Sequence, residues 1–245
     1  MKNKTVLVTG ASRGIGKEIG ILFAQKNMNV IFNYCYNKEK ATQIVDNLNN
    51  NGARAVALKA DVSQKSEVEK MIKKANNIFG EIDILINNAG ISQQKLFTDI
   101  SENDWNRMFD INIKGIYNCT QAVLPAMIRK QSGKIINISS IWGLVGASCE
   151  VHYSASKAAV IGLTKALAKE LGPSKIQVNC VAPGVIETQM LDNLSPDDIK
   201  NLKYETPLGI IGKPSDIANT VYFLASDLAD FITGQVISPN GGFVI

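Results

Sequence analysis

The segment near the N-terminus most strongly constrains the fold of this chain, because it predicts a strand, a glycine-rich turn and a helix in succession. Residues 5–9 form a short apolar, β-branched run that is typical of a buried strand. Gly10, Gly14 and Gly16 follow, and apolar residues at helical spacing come after them. Glycines let a backbone approach a phosphate closely, and the free N–H groups of a helix N-terminus attract anions. The segment therefore predicts a pyrophosphate-binding turn.

The spacing of these glycines limits which nucleotide-binding motif the segment can be. It is G-x-x-x-G-x-G, which differs from the G-x-G-x-x-G of many dehydrogenases. A P-loop is excluded, because Glu18 stands after Gly16 and Lys17 where that motif needs Ser or Thr. An ordinary tight turn between strand and helix is the alternative interpretation, and the other motifs decide between the two.

The rest of the chain alternates strand patterns with helix patterns. Strand-like runs occupy residues 30–33, 55–58, 82–86, 134–138, 177–181 and 236–238, and helical patterns occupy residues 38–50, 63–79, 104–129 and 153–171. Such alternation is typical of a mainly parallel sheet with helices on both faces. We therefore predict an α/β fold, a single doubly wound Rossmann domain over residues 1–245 with about seven strands.

Tyr153 and Lys157 are the most informative candidate catalytic pair. Their spacing of four places both side chains on one face of a helix, one turn apart. A free tyrosine has a pKa of about 10, and an ammonium group a few ångströms away favours the phenolate and lowers that pKa. Such a pair can exchange a proton with a carbonyl or alcohol oxygen. For an isolated Tyr-x-x-x-Lys, an amphipathic helix face is the alternative interpretation.

These two motifs occur with others in the order found in one protein family. The others are Asn87-Asn88-Ala89-Gly90, Ser140 and Pro183-Gly184. Over its whole length the chain resembles the short-chain dehydrogenases/reductases, and among them the 3-oxoacyl-carrier-protein reductases most. The resemblance implies an NADPH-dependent carbonyl reductase that transfers a hydride to a ketone, with Tyr153 as the proton donor.

The resemblance also implies four catalytic residues: Asn112, Ser140, Tyr153 and Lys157. Ser140 would orient the substrate oxygen by a hydrogen bond. Ser139 is the competing assignment, since neighbours on a strand point to opposite faces, and family spacing favours Ser140. Lys157 would also hold the ribose hydroxyls of the cofactor, and Asn112 would support a water that relays protons. A lone asparagine in a helix would otherwise be unremarkable.

The cofactor site that the resemblance implies comprises Gly10, Ser12, Arg13, Gly14, Ile15, Gly16, Asp61, Val62, Asn88, Ala89, Gly90, Tyr153, Lys157, Pro183, Gly184, Ile186 and Thr188. Asp61 and Val62 would contact the adenine, and residues 183–188 would pack on the nicotinamide carboxamide. A substrate loop at about 185–212 would follow. For the Asn, Gly and Pro positions, ordinary turn chemistry is the alternative interpretation.

The end of the second predicted strand indicates which cofactor is used. An acid there would bind the ribose 2′-hydroxyl of NAD and repel a 2′-phosphate, but residues 33–38 contain none. Arg13 stands in the glycine turn, and Lys38 is a possible second cation. We therefore expect NADPH/NADP.

Composition argues against nucleic-acid-binding, metal-binding and membrane proteins. The net charge of +4 is mild and the basic residues are dispersed, so we expect no nucleic-acid partner. The four cysteines have no C-x-x-C spacing and His152 is the one histidine, so we expect no metal site. No apolar run has membrane-spanning length, and a strand starts almost at Met1. We therefore expect a cytoplasmic protein with no membrane partner and no signal peptide.

The identity of the ketone stays open at the level of sequence. A small-molecule or carrier-bound ketone, with acyl carrier protein as a possible partner, follows from the resemblance. Glu150 and Trp142 depart from the small, neutral residues common in carrier-protein reductases. Together with residues 139–143, the segment 147–152 also resembles a branch that reduces an aminoketone on elongation factor P. A non-catalytic NADP-binding regulator is the alternative from another class, although it would need neither Tyr153 nor Ser140.

Assembly is a further expectation from the resemblance, which implies a homotetramer. Residues 104–129 and 153–171 carry many apolar side chains, and we expect these two helical regions to form much of one interface.

Overall fold

The computed structural model describes residues 3–191 and 195–245 of the chain. Its strands are β1 (Thr5–Val8), β2 (Asn29–Tyr34), β3 (Arg54–Lys59), β4 (Ile84–Asn87), β5 (Gly133–Ile138), β6 (Ile176–Val181) and β7 (Val236–Ile237). They form one seven-stranded sheet in the order β3-β2-β1-β4-β5-β6-β7, and every neighbouring pair is parallel. The predicted fold class is confirmed. The strand order reverses between β1 and β4, which is where open α/β sheets bind ligands.

The helices cover both faces of this sheet. They are α1 (Gly14–Gln25), α2 (Lys38–Asn50), α3 (Lys65–Phe79), α4 (Glu102–Phe109), α5 (Gly115–Lys130), α6 (Trp142–Val145), α7 (Val151–Leu171), α8 (Pro196–Glu205) and α9 (Pro214–Ala225). Across the described ranges, none of the helices is both long and apolar enough to cross a membrane.

Side chains along each strand point alternately to the two faces of the sheet, and this creates two hydrophobic cores. Val6 and Val8 on β1 pack with α1, α2 and α9, whereas Leu7 packs with α3, α5 and α7 on the other face. Successive strand residues point to opposite faces, so a strand buried on both sides must be apolar throughout. All four residues of β1 are buried, which explains why Val6, Leu7 and Val8 are apolar in succession.

The chain between residues 102 and 130 differs from the single helix that the sequence predicted. A π-helical turn, Asp110–Lys114, separates α4 from α5 and has Asn112 at its centre. Such turns widen a helix locally and are often found at functional sites. The helices α6, α8 and α9 were also missed. For α9 a signal existed, because Pro214 starts a helix with Ile217, Val221 and Leu224 at helical spacing.

Candidate active site

The glycine turn is packed so tightly against the end of β4 that side chains would not fit. Gly10 has a φ of +63°, and a Cβ there would lie 2.9 Å from the Cα of Ala89. A Cβ on Gly16 would lie 2.7 Å from the carbonyl oxygen of Gly10. Arg13, the residue before α1, makes no side-chain cap, so no side chain competes for the first N–H groups of the helix. This cradle fits a pyrophosphate.

Asn33, at the end of β2, joins this turn to the neighbouring strands. Its Oδ1 accepts a hydrogen bond from the backbone N–H of Gly10 at 3.2 Å, and its Nδ2 donates to the carbonyl of Ala60 at 3.0 Å. The side chain is buried. The sequence shows that no acid stands here, but the structural role of the Asn33 amide depends on tertiary contacts that a sequence pattern does not reveal.

A cavity of about 440 Å³ lies over the carboxyl ends of the central strands, within the usual size range of ligand pockets. The predicted residues that line it are Gly10, Ser12, Arg13, Gly14, Ile15, Gly16, Asp61, Val62, Asn88, Ala89, Gly90 and Thr188. Arg107, on α4, also lines the cavity, and no sequence motif predicted it. Lys38, expected as a second cation, is exposed and lies outside the cavity lining.

Tyr153 and Ser140 lie outside the cavity lining, next to Lys157 and Gly90 on its border. Both residues are buried, and the Ser140 hydroxyl is near enough to the phenol to affect its ionisation. Burial raises the pKa of Tyr153 to about 12, the Ser140 hydroxyl opposes that rise, and the negative charge of Glu150 adds to it. The sequence predicted a lowered pKa, but desolvation of the phenolate dominates here. A protonated phenol with a polarising hydroxyl beside it can donate a proton.

Lys157 lies one helical turn from Tyr153, as the spacing predicted. Its Nζ donates to the carbonyl of Ile138 at 2.9 Å and lies 5.7 Å from the centre of the Tyr153 ring. Burial lowers the pKa of Lys157 to about 8, partly offset by the nearby Cys180 thiol. The ammonium is therefore charged at neutral pH but close to its titration point.

Asn112 reaches the same region from the π-helical turn. Its Oδ1 accepts from the backbone N–H of Ile91 at 2.9 Å, and its Nδ2 donates to the carbonyl of Ile91 at 3.0 Å. A Cβ on Gly90 would lie 3.2 Å from this Oδ1 and 3.4 Å from the Nζ of Lys157. Glycine at position 90 therefore keeps the space between Asn112 and Lys157 open.

Ser139 points away from this group, as strand alternation requires. Its hydroxyl donates to the backbone carbonyl of Lys157 at 2.7 Å, which ties the end of β5 to α7. A Cβ on Gly143 would lie 2.8 Å from the same hydroxyl oxygen, so α6 packs closely here. The hydroxyl of Ser139 is thus bonded to the backbone of α7, whereas that of Ser140 accepts from the N–H of Trp142 at 3.2 Å and opposes the rise in the pKa of Tyr153.

The other predicted cofactor residues lie outside the cavity lining: Tyr153 and Lys157 are on α7, and Pro183, Gly184 and Ile186 follow β6. The carbonyl of Pro183 accepts from the N–H of Ile141 at 3.0 Å, which places this loop beside α6. A Cβ on Gly184 would lie 2.7 Å from the Cα of Asn240. Ile186 is buried and bridges to Gly212. The expected substrate loop at 185–212 includes residues 192–194, which lie outside the described residues.

Among the residues that the structure describes, no group of His, Cys, Asp and Glu is arranged to hold a metal ion. The four cysteines are free, and Cys119 and Cys180 are buried.

The reversed strand order, the glycine cradle and a buried Ser–Tyr–Lys group beside it define a dinucleotide-dependent oxidoreductase. The model of the family "short chain dehydrogenase" matches residues 4–199. The chain belongs to this family, whose members use a nicotinamide cofactor and act on a ketone or alcohol.

Individual relatives match this chain over almost its full length. The 3-oxoacyl-(acyl-carrier-protein) reductase FabG of Staphylococcus epidermidis is 47% identical over 241 residues, covering 98% of both chains. The corresponding protein of Thermotoga maritima is 40% identical, covering 100% of this chain and 99% of its own. A crystal structure of the 3-oxoacyl-(acyl-carrier protein) reductase from Brucella melitensis superimposes with a TM-score of 0.94 at 33% identity, covering 100% of this chain and 92% of the other.

Proposed function

We propose that this protein is an NADPH-dependent reductase of a 3-oxoacyl group carried by acyl carrier protein. The observation that carries the proposal is the buried group of Ser140, Tyr153 and Lys157, in which the Nζ of Lys157 lies 5.7 Å from the centre of the Tyr153 ring and borders the cavity at Gly90. The names of the relatives, at 40–47% identity over almost the whole chain, supply the substrate class.

Each catalytic side chain has a task in this reaction. The bound cofactor supplies a hydride to the carbonyl carbon. Ser140 holds the carbonyl oxygen by a hydrogen bond, and Tyr153 donates its phenolic proton to that oxygen. Lys157 stabilises the phenolate that remains, because an adjacent positive charge favours the ionised phenol. Asn112, which fixes Ile91 and borders the same space, supports the path by which the proton is replaced.

Lys157 gives the reduction a defined pH dependence. Only its charged form stabilises the phenolate, and burial places its pKa at about 8. We expect kcat/KM for reduction to be flat from about pH 7 to pH 8 and to fall by about tenfold per pH unit above pH 8, since kcat/KM reports ionisations of the free enzyme. Tyr153, with a pKa of about 12, stays protonated through this window. A profile that stays flat from pH 7 to pH 10 would contradict this role.

The preference for NADPH rests on charge at the adenosine end of the cavity. Arg13 lines the cavity, and its guanidinium donates to Gln189 at 3.1 Å. The buried amide of Asn33 stands where an acid would repel a 2′-phosphate. Charge-assisted hydrogen bonds contribute about 1.5–3 kcal/mol, which corresponds to about tenfold or more in affinity.

We therefore expect Arg13→Ala to weaken NADPH binding by about tenfold or more and to leave NADH binding nearly unchanged. Isothermal titration with both cofactors measures this. Lys38→Ala is the matched control, since Lys38 lies outside the cavity lining and should change neither affinity. Equal dissociation constants for NADPH and NADH in the wild type would refute the preference.

The charge and position of Glu150 support a second candidate function, the reduction of an amine-bearing ketone. Its carboxylate is partly buried, accepts a hydrogen bond from Gln94 at 3.3 Å, and acts electrostatically on Tyr153. Burial raises the pKa of Glu150, and the Gln94 bond opposes that rise. No salt bridge to Glu150 is found within the described residues. A carboxylate of this kind near the site would attract a cationic substrate and repel an anionic one.

Glu150→Gln separates the two candidates. If this charge selects the substrate, kcat/KM should rise for an anionic ketone and fall for an amine-bearing one, each by several-fold. Glu170→Gln is the control, because Glu170 is exposed near the far end of the same helix. Identical responses of both ketones would mean that Glu150 plays no part in selection.

We also propose a homotetramer, on the strength of the resemblance and of exposed apolar residues on α4 and α5. Trp105, Tyr117 and Ile128 are exposed there, whereas Ile116, Val123, Met127 and Val160 are buried in the core of this chain. The interface would therefore use fewer apolar residues of these helices than their composition suggested. A monomeric mass by light scattering at full activity would contradict the tetramer.

A further inference from the structure

The segment that follows β4, residues 91–95, connects the two helical regions that carry the proposed catalytic residues. We call this segment the strap. At its start, both backbone groups of Ile91 are bonded to the side chain of Asn112, at 2.9 and 3.0 Å. At its end, the N–H of Lys95 donates to the carbonyl of Cys149 at 2.8 Å, just before α7. The path of the strap therefore affects both Asn112 and the first turn of α7, which carries Tyr153.

A side-chain network holds the middle of the strap. Gln93 donates from Nε2 to the Oδ1 of Asp104 at 3.1 Å, and Lys95 donates to the Oδ2 at 2.7 Å. The Oε1 of Gln93 lies 3.1 Å from the Nε2 of His152. Since an amide oxygen can only accept, His152 carries its proton on Nε2. His152 directly precedes Tyr153 and is fully buried.

The other ring nitrogen shows why His152 must be neutral. Its Nδ1 is buried and has no hydrogen-bond partner among the residues described. Protonation would place an N–H there without an acceptor, which is costly in a buried position. Burial lowers the pKa of His152, Asp104 on α4 raises it, and Lys95 on the strap lowers it. Glu150, two residues earlier in the chain, is the other nearby acid.

We propose that His152 is a positioning residue for the reductase reaction: through Gln93 it fixes the strap against α7 and so holds Asn112 and Tyr153 in their relative places. The inference rests on the proposed function for its kinetic consequences. Its structural consequence, an ordered strap, does not depend on that function.

Gln93→Ala tests the link without altering the buried histidine. We expect kcat to fall by about tenfold, because a buried donor is left unsatisfied, and the dissociation constant for NADPH to change less than twofold. Ser92→Ala, an exposed change in the same segment, is the control and should match the wild type. Wild-type kcat in Gln93→Ala would overturn the proposal.

His152→Gln provides a rescue, because the glutamine amide can replace the Nε2 donor. We expect it to retain kcat within about threefold, whereas His152→Leu should match the loss in Gln93→Ala. Because burial lowers the pKa of His152, its protonation should occur at a pH below the ordinary histidine value of about 6.5. The wild type should lose activity over that acid range, and His152→Gln should not, since its side chain does not titrate. An acid limb that is identical in wild type and His152→Gln would contradict the proposal, even if His152→Leu fails to fold.

Amide hydrogen exchange separates this inference from the proposed function. In Gln93→Ala the N–H of Lys95 should exchange at least about tenfold faster, and in Ser92→Ala it should not change. If the wild type reduces no ketone, the proposed function fails and the exchange result still decides whether the network orders the strap. If the wild type is active and Lys95 exchanges equally in all three proteins, the strap proposal fails alone.

Discussion

Replacing Tyr153 by phenylalanine should abolish nearly all turnover while leaving the fold and cofactor binding intact. The phenol is the proton donor in this account, and general acid catalysis typically contributes about 10²–10⁴-fold to the rate. Phenylalanine keeps the buried ring beside Lys157 but removes the hydroxyl that carries the proton. We therefore expect kcat for ketone reduction to fall by about 10²-fold or more, measured by NADPH oxidation.

Tyr222→Phe is the matched control for this substitution. Tyr222 lies on α9, where its ring packs against Phe23 far along the chain from the catalytic group. Its hydroxyl should be dispensable for turnover. A loss below about threefold in Tyr153→Phe, small beside the range expected of a general acid, would remove Tyr153 from the mechanism.

Ser140→Ala should lower kcat by about 10²–10³-fold, the usual effect of removing one donor to a developing oxyanion. Ser139→Ala should instead lower the free energy of unfolding by about 1 kcal/mol, because its hydroxyl bonds to the backbone of Lys157. Its kcat should change by less than about tenfold. Steady-state kinetics and thermal unfolding, measured on both variants, compare their kcat values and free energies of unfolding.

Comparing these two variants decides whether Ser139 or Ser140 orients the substrate oxygen, a question that the sequence left open. If Ser139→Ala carries the larger catalytic loss, then Ser139 holds the substrate oxygen and the assignment must be exchanged. If neither serine affects kcat by tenfold, substrate orientation does not involve this turn.

The sequence predicted the fold class because the strand signals are strong. The central strands β1, β2, β4 and β5 are short, mostly apolar and buried on both faces, so a run such as that of β1 has few other interpretations. Element boundaries were predicted within a few residues; β2, for example, extends from Asn29 to Tyr34 rather than over residues 30–33. The π-helical turn at Asp110–Lys114 could not be predicted, because tertiary contacts of Asn112 stabilise it and its residues are ordinary helix formers.

In the candidate site, too, the sequence predicted the local motifs and not the features that depend on tertiary packing. The glycine turn and the Tyr153–Lys157 spacing are local patterns, and the structure brings those residues together as expected. The sign of the pKa shift on Tyr153 depends on burial, which no spacing reveals, and it was predicted in the wrong direction. Arg107 was missed because a cation on α4 reaches the cavity only through tertiary packing.

The most direct test of the central claim is reduction of a 3-oxoacyl group on acyl carrier protein by the purified wild-type protein. NADPH oxidation should be saturable and faster than NADH oxidation, and Tyr153→Phe should be nearly inactive in parallel. Binding of NADPH without any oxidation, on 3-oxoacyl, simple β-ketoester and amine-bearing ketones alike, would contradict the account and favour a non-catalytic nucleotide-binding protein.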